Sequence, residues 1–311
     1  MAELANKMIV IDISIYLYKY QTEGALIENI YLMLSIFKYY NVIPIFIFDG
    51  KPPAEKKELL RKRYSDKVNA EAEYNRLKAL YADADSTHSQ ADKNRIVSLL
   101  DGLKKKIVYI TKKQIEDVKS LINAFGATYY DAPNEADELC ASFVIKNKAW
   151  ACMSEDMDMF VYGVPRVIRY FSLLNHTIVL YNTSNILYEL SITEKEFSEI
   201  CVLSGTDYNI VDNKTNITNK YTLYDALNLF KQFQLSQNSS FYEWLYNNNI
   251  VTEHDYNILI QIYQMFAKLN EANGYIIENI KIQPELIVCK KKLIPILEAD
   301  GFIFAKPVCI N

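Results

Sequence analysis

The sequence predicts an α/β fold: a central, mostly parallel sheet flanked by helices, with a helical insertion and a C-terminal helical region. Three observations carry this prediction. Apolar runs of strand length at residues 8–11, 43–48 and 149–153 each lead into an aspartate or a short acidic turn. Runs that are apolar throughout, without polar alternation, suit strands buried on both faces, as in a parallel sheet. The segments between them carry apolar residues at helical spacing, which supplies the crossovers that parallel strands need.

Taken in order, strand 8–11 ends at Asp12, and residues 13–40, apolar and aromatic with few breakers, read as a helix packed on the sheet. Strand 43–48 runs into Asp49-Gly50. Residues 51–67 then bring Lys51, Lys56, Lys57, Arg61, Lys62, Arg63 and Lys67 against Glu55, Glu58 and Asp66. Pro52-Pro53 would open a helix on which Lys56 and Arg63, two turns apart, share a face and reach one phosphate. A charge run of this kind is ordinarily a solvated helix face. Residues 64–106 are helical and polar, with an interruption at 82–90. Lys104, Lys105 and Lys106, followed by Lys112 and Lys113 with no acid between Gly102 and Lys113, favour a face turned to phosphate. Thr111 and Gln114 form a capping box for a helix whose apolar residues Ile115, Val118, Ile122 and Phe125 end at Gly126.

Residues 132–147 read as the next helix, with Pro133 in its first turn and Ala136, Leu139, Cys140, Phe143 and Val144 on its apolar face. Glu135 and Asp137 then sit in the first turn. Asp156 and Asp158 follow strand 149–153 directly. Further strands are expected at 167–171 and 177–181, a helix near 193–203, and Asp207 lies in the string SGTDY beyond it. From Trp244 onward helical patterns alternate. Acids are mostly surface residues, and one aspartate at a strand end is weak evidence of a site. Three such strand ends and a helix opening on paired acids place carboxylates at the carboxyl edge of the sheet, where ligands of open α/β sheets bind. Carboxylates gathered without histidine suit hard divalent cations held against a phosphate.

The strings VIDISIYLYKY (10–20), FIFDGKPPAEKKELLRKR (46–63), APNEADELCA (132–141), SEDMDMFVYG (154–163) and CVLSGTDY (201–208) resemble, in order and spacing, the structure-specific 5′ nucleases, and FDGKPP and EDMD are most similar to the flap endonuclease branch. The likeness spans roughly residues 8–230. It implies a PIN-like nuclease core over 1–205, with 64–110 as an arch under which a 5′ single strand passes, and a DNA-binding helical region over 206–311. It implies a two-metal phosphodiesterase with 5′ flap endonuclease and 5′→3′ exonuclease activity on branched DNA in replication, repair or recombination. Asp12, Asp49, Glu135, Asp137, Asp156, Asp158 and Asp207 would be the metal-site acids, Asp156, Asp158 and Asp207 mainly for one Mg²⁺ and the other four for the second or its waters, with Mn²⁺ as substitute. Lys56 and Arg63 match the family's catalytic Lys and Arg, and Tyr18 its base-stacking aromatic. Lys51, Lys57, Lys104, Lys105, Lys106 and Lys220 are further candidates for DNA contact.

Several features depart from the family pattern. Few residues precede Asp12, so a leader that approaches DNA in the family is not expected. Asp137 stands where Glu is usual, with Glu138 as a possible substitute. A helix-hairpin-helix turn built on glycines would fall at residues 216–220, yet no glycine occurs between Gly205 and Gly274, and side chains stand where bare backbone would approach phosphates. The string FIFAKPVCIN has no sliding-clamp motif, so clamp binding through a tail is not expected. A junction-resolving or PIN-like nuclease, and a non-catalytic DNA-binding relative, are the alternatives.

Composition bounds the rest. The chain has 311 residues, half of them apolar, enough for one large domain or two small ones. A net charge of −4 argues against a nucleic-acid partner only until the metal-site acids are set apart, because local charge governs binding. Five cysteines without a CxxC pair read as reduced, mostly buried thiols of an intracellular protein. No signal sequence or bilayer-length apolar run is present, so no membrane partner is expected, and the protein is expected to be soluble, intracellular and monomeric. His88, His176 and His254 lie near no motif. Abundant Ile, Asn, Lys and Tyr suggest an AT-rich genome, as in a large DNA virus.

Overall fold

The computed structural model describes residues 1–83, 90–209, 221–236, 238, 240–272 and 274–304. By internal contacts the chain divides into two units, Met1–Gly50 with Ile110–Ser191 and Leu269–Asn311, and Lys51–Tyr109 with Ile192–Lys268. This grouping cuts across the functional division at 205 and 206 drawn above.

The first unit is built on one six-stranded sheet in the order β3-β2-β1-β4-β5-β6. Strands β1 (Met8–Asp12), β2 (Ile43–Phe48), β3 (Thr128–Asp131), β4 (Ala151–Met153) and β5 (Arg166–Ser172) pair in parallel, and β6 (Thr177–Asn182) closes one edge antiparallel to β5. Val10, Ile11, Ile45, Phe46 and Ile47 are fully buried, as unbroken apolar runs in the middle of a sheet must be. The sequence reading missed β3, whose Thr-Tyr-Tyr-Asp composition lacks an apolar run, and it started β4 two residues early. Ala149 and Trp150 lie outside the strand, and Trp150 donates its N–H to the Met8 carbonyl at 2.7 Å.

Residues 13–40 form two helices rather than one, α1 (Ile13–Thr22) and α2 (Leu26–Tyr39). The break is at Gly24, whose φ of +73° is a left-handed conformation that glycine adopts without steric cost. α2 places Ile27, Ile30, Leu34 and Phe37 in the core at helical spacing, and the Phe37 ring packs against Phe46 and Phe171. α5 (Lys112–Ala124) carries the expected Thr111–Gln114 capping box.

α6 (Ala136–Ile145) starts later than the sequence pattern suggested. Residues 133–135 are not helical, and Glu135 is the N-cap residue rather than a first-turn residue. The helix is also buried all round from Ala136 to Val144, Asp137 and Glu138 included. Its neighbours are β1, β2, β4, α7 (Asp158–Val161) and α13 (Gly274–Asn279), so no face is left for solvent.

The C-terminal segment returns to this unit. Gln283 donates its N–H to Thr128 Oγ1 at 2.8 Å, and Cys289 donates to the Ala124 carbonyl at 2.7 Å. α14 (Lys290–Ala299) then lays Leu293 and Leu297 into the core beside α5. A side chain at Gly126 would meet Ile287 backbone at 2.8 Å, so the glycine permits this approach.

The second unit is helical: α3 (Lys57–Asp83), α4 (Gln90–Lys106), α9 (Glu194–Ser204), α10 (Leu223–Gln234), α11 (Phe241–Asn247) and most of α12 (Glu253–Ala272). α3 begins at Lys57, after a 3₁₀ turn at Ala54–Lys56, and not at the prolines. α3 packs on α4, and α9, α10 and α11 pack on one another around Phe230, Phe233, Phe241 and Trp244. The interruption near 84–89, the stretch 216–220 and Lys220 lie outside the described residues. Cys140, Cys152 and Cys201 are buried and Cys289 is exposed. Among the described residues no helix is long and apolar enough to cross a membrane.

Candidate functional site

In the first unit the parallel strands end along one edge, and six of the seven predicted acids follow from that edge. Asp12 closes β1, Asp49 follows β2, Glu135 and Asp137 open the helix after β3, and Asp156 and Asp158 follow β4. Asp12 is buried and caps α1, accepting the Ser14 N–H at 3.1 Å on Oδ1. The Ser154 hydroxyl donates to its Oδ2 at 3.4 Å. Burial, then the nearby charges of Asp49 and Asp156, push the Asp12 carboxyl up to about 7. A buried acid held that high marks a concentration of negative charge that a cation would offset.

Asp49 ties two elements together. Its Oδ1 accepts the Ala136 N–H at 2.9 Å, the first amide of α6, and its Oδ2 accepts the Ser14 hydroxyl. A carboxylate suits that place because unsatisfied amides and the helix dipole favour negative charge. The next residue must be glycine for lack of room: a Cβ on Gly50 would lie 1.9 Å from the Ala132 carbonyl oxygen. The Gly50 N–H donates to the Asn134 carbonyl at 2.7 Å, which fixes the approach to Glu135.

Ligand oxygens of Asp137, Asp156 and Asp158 all lie within 4.8 Å of one another. Asp137 thus stands with the two acids after β4, although it is a residue shorter than the family's Glu by one methylene. Its Oδ1 accepts the Glu138 N–H at 2.7 Å. Asp158 donates its N–H to Asp156 Oδ1 at 2.9 Å, and Asp156 donates its own N–H to Ser154 Oγ at 3.2 Å. A donor set made only of carboxylates fits hard, oxygen-seeking divalent cations and not soft ones.

Asp207, the seventh acid, belongs to the second unit and is held there by both predicted basic residues. Lys56 Nζ lies 3.4 Å from its Oδ2, and Arg63 donates to its Oδ1 at 2.8 Å. Lys56 is buried, its ammonium 4.6 Å from the centre of the Tyr208 ring, whereas Arg63 is half exposed. Lys56, at the end of the 3₁₀ turn, and Arg63, on α3, thus meet at one oxyanion, here a carboxylate.

Of the remaining candidates, Tyr18 is 47% exposed and, with Ser14, Asp49, Lys112, Lys119 and Asp131, lines a cavity of about 460 Å³. Lys51, Lys57, Lys104, Lys105 and Lys106 are exposed. Sequence reasoning passed over Lys119, which pairs with Asp131 at 2.8 Å and Glu116 at 3.2 Å and stands over the Phe48 and Tyr129 rings. It also passed over Ser14 and Ser154, the hydroxyls against Asp49 and Asp12. Both lie inside the quoted motifs, next to or two residues from an acid, and that proximity was the available signal.

A mostly parallel α/β core with carboxylates gathered at its carboxyl edge defines the class of fold, one whose solved neighbours are the Rad2 and flap endonuclease cores. In overall fold the chain is similar to the catalytic core of Rad2 in complex with DNA substrate (TM-score 0.58, 17% identity, 96% of this chain and 88% of that one). It is similar to flap endonuclease-1 from Methanococcus jannaschii (TM-score 0.57, 21% identity, 96% and 88%) and to human GEN1 in complex with Holliday junction DNA (TM-score 0.55, 17% identity, 96% and 69%). Residues 1–70 match the XPG N-terminal domain and residues 126–207 the XPG I-region, and these two matches support an XPG/Rad2-type 5′ nuclease. Flap endonuclease 1 of Zea mays is 34% identical over 168 residues, 53% of this chain and 41% of that protein, and flap endonuclease 1 of Homo sapiens is 31% identical, with 53% and 40% covered. The chain thus spans about two-fifths of the length of these curated relatives.

Proposed function

We propose that the protein is a metal-dependent, structure-specific 5′ nuclease that hydrolyses a phosphodiester in flapped or branched DNA, as a flap endonuclease with 5′→3′ exonuclease activity in replication, repair or recombination. The observation that carries the proposal is the convergence of Asp137, Asp156 and Asp158 within 4.8 Å, beside the buried Asp12. The matches to the XPG N-terminal domain and I-region and the names of the flap endonuclease relatives support the substrate class.

Asp137, Asp156 and Asp158 are assigned to one divalent cation, Mg²⁺ or Mn²⁺, and Asp12, Asp49 and Glu135 to a second or to its waters. Such cations, when bound, make a coordinated water nucleophilic and offset charge on the phosphate. The chain's own part is to hold these oxygens in place and aimed. Ser14 and Ser154 donate to Asp49 and Asp12, and the Ala136 amide fixes Asp49. Lys56, Arg63 and Asp207 are assigned to the same reaction on the resemblance of their motifs. Two cations that already share one carboxylate can exchange it for a phosphate oxygen, and charge-assisted pairs of this type are the strong ones. Tyr18 is assigned to stacking on a base. The protein is proposed to act as a monomer.

The test is cleavage of a 5′-flap DNA labelled at the 3′ end of the flap strand, with Mg²⁺ or EDTA, beside blunt duplex, single strand and a four-way junction. Mg²⁺-dependent cutting at the flap base that vanishes in Asp156→Ala is the expected result. Binding without cutting in both Mg²⁺ and Mn²⁺ would identify a non-catalytic relative, and preferred cutting of the junction a resolving nuclease.

A further inference from the structure

The loop that carries Asp156 and Asp158 has an anchor outside the acid cluster. Arg169 sits on β5 within the apolar string VIRYF, its side chain only 14% exposed. One guanidinium nitrogen, Nη2, donates to the Glu155 carbonyl at 2.7 Å, and the other, Nη1, reaches Met157 Sδ at 2.8 Å. Nε lies 3.7 Å from Glu155 Oε2. A single planar fork therefore grips the residues on either side of Asp156. The Glu155 carboxylate is held a second time, because its Oε1 accepts the Tyr170 N–H at 2.7 Å.

The backbone of β5 is bent to make that contact. Tyr170 has a φ of +56°, a left-handed conformation rare for a bulky residue, which persists only where surrounding contacts impose it. The β5–β6 register shifts between Arg169 and Ser172, the same place. The loop's internal hydrogen bonds are local and use the Asp156 carboxylate itself, which accepts the Asp158 N–H. An oxygen spent on its own turn does not fix that turn against the sheet. Arg169 does, beside Ser154, whose N–H donates to the Ile168 carbonyl at 3.2 Å and whose hydroxyl donates to Asp12, and it also holds the Glu155 carboxylate against β5.

We propose that Arg169 is a positioning residue for metal binding: through Glu155 and Met157 it sets where Asp156 and Asp158 present their oxygens, without touching the metal or the DNA. The proposal rests on the two-metal reading above. Groups that orient metal ligands from behind typically change affinity by about 10- to 100-fold when removed.

The experiment is Mn²⁺ binding to the full chain without DNA, followed by electron paramagnetic resonance, with circular dichroism to confirm folding. Arg169→Ala is expected to raise the Mn²⁺ concentration for half-saturation by about 10- to 100-fold. In cleavage assays the same variant loses kcat at limiting Mn²⁺, recovers it at high Mn²⁺, and keeps its KM for flap DNA. Arg169→Lys keeps the charge but not the fork and falls between. Glu155→Gln keeps the acceptor for Tyr170 and the carbonyl for Arg169, and restores most of the affinity that Glu155→Ala loses. Wild-type Mn²⁺ affinity in folded Arg169→Ala overturns the proposal. Should that variant not fold, unchanged affinity in Glu155→Ala overturns it instead. Asp156→Ala separates the two readings: if it still binds Mn²⁺ and cuts, the metal assignment itself fails, whereas its loss beside an unaffected Arg169→Ala refutes only the positioning role.

Discussion

Gly50→Ala is the smallest change that tests whether the geometry at the sheet edge matters. The added methyl would lie 1.9 Å from the Ala132 carbonyl oxygen and 2.8 Å from Pro133 backbone atoms, where real Cβ contacts essentially never fall under 3.0 Å. Backbone on one side must yield by roughly 1 Å, because neither neighbour is the end of a flexible side chain. Overpacking of this kind costs about 1–3 kcal/mol, and loss of the Gly50 to Asn134 hydrogen bond adds about 0.5–1.5 kcal/mol. Each kcal/mol lowers the melting temperature by about 2–4 °C in a domain of 150–250 residues. The displaced segment leads straight to Glu135 and Asp137, and a misplacement of about 1 Å can reduce a reaction about 100-fold. Thermal melting and single-turnover cleavage of flap DNA in Mg²⁺ measure both effects. Gly24→Ala is the control, since its Cβ would have nothing within 4 Å: it carries a backbone cost of about 1–2 kcal/mol for φ above zero and leaves cleavage intact. Wild-type melting and wild-type cleavage in Gly50→Ala would refute the reasoning.

Three further outcomes are expected. Asp156→Ala abolishes cleavage while gel-shift affinity for flap DNA in Ca²⁺ stays near wild type; a variant that still cuts in Mg²⁺ disproves the ligand assignment. Arg63→Ala, at a half-exposed pair, costs about 0–1 kcal/mol of stability but about 100- to 1000-fold in cleavage, whereas Lys56→Met also lowers the melting temperature because it removes a buried ammonium that contacts both Asp207 and the Tyr208 ring; equal effects of both variants on melting and none on cleavage would make the pair structural only. Burial raises the Glu199 carboxyl above its ordinary range against the pull of Lys195, with Glu196 adding to the rise and the Tyr242 hydroxyl donating to the Glu199 carbonyl. The native state then holds its proton to higher pH than the unfolded chain, so this group's contribution is full below the unfolded pKa and is lost as pH rises through the folded one. Glu199→Gln is expected to flatten that part of the stability curve, and unchanged urea midpoints between pH 4 and 8 would rule it out.

The fold was legible where the chemistry is local. Strands 8–12 and 43–48 announce themselves as unbroken apolar runs, and Asp12 and Asp49 stand out because a charge ends each run. β3 escaped because Thr-Tyr-Tyr-Asp has no such signature and is a strand only through its pairing with β2. The single glycine at 24 was too weak a signal against a long apolar context, although its positive φ ends a helix. Asp137 could be counted among the acids, but that its shorter side chain reaches Asp156 and Asp158 depends on the burial of α6 on all sides. Arg169 and Lys119 were invisible for a different reason. Each is one basic residue with partners 12 to 14 positions away, and only the folded chain brings Glu155 or Asp131 to it.

The return of residues 283–297 to the sheet also bears on the order in which the chain can acquire its structure. Synthesis is vectorial, and domains generally fold as units while the chain emerges. Here the cover over α5 and the partner for Thr128 are made long after the segments they meet, Gln283 following Thr128 by 155 residues. Until they arrive, Val118, Leu121 and Ile122 have an open flank, and the unit that bears the acids is a nascent intermediate with exposed apolar surface. A chain stalled near residue 268 would therefore be a client for chaperones, and emergence of residues 283–297 would be the event that closes the core.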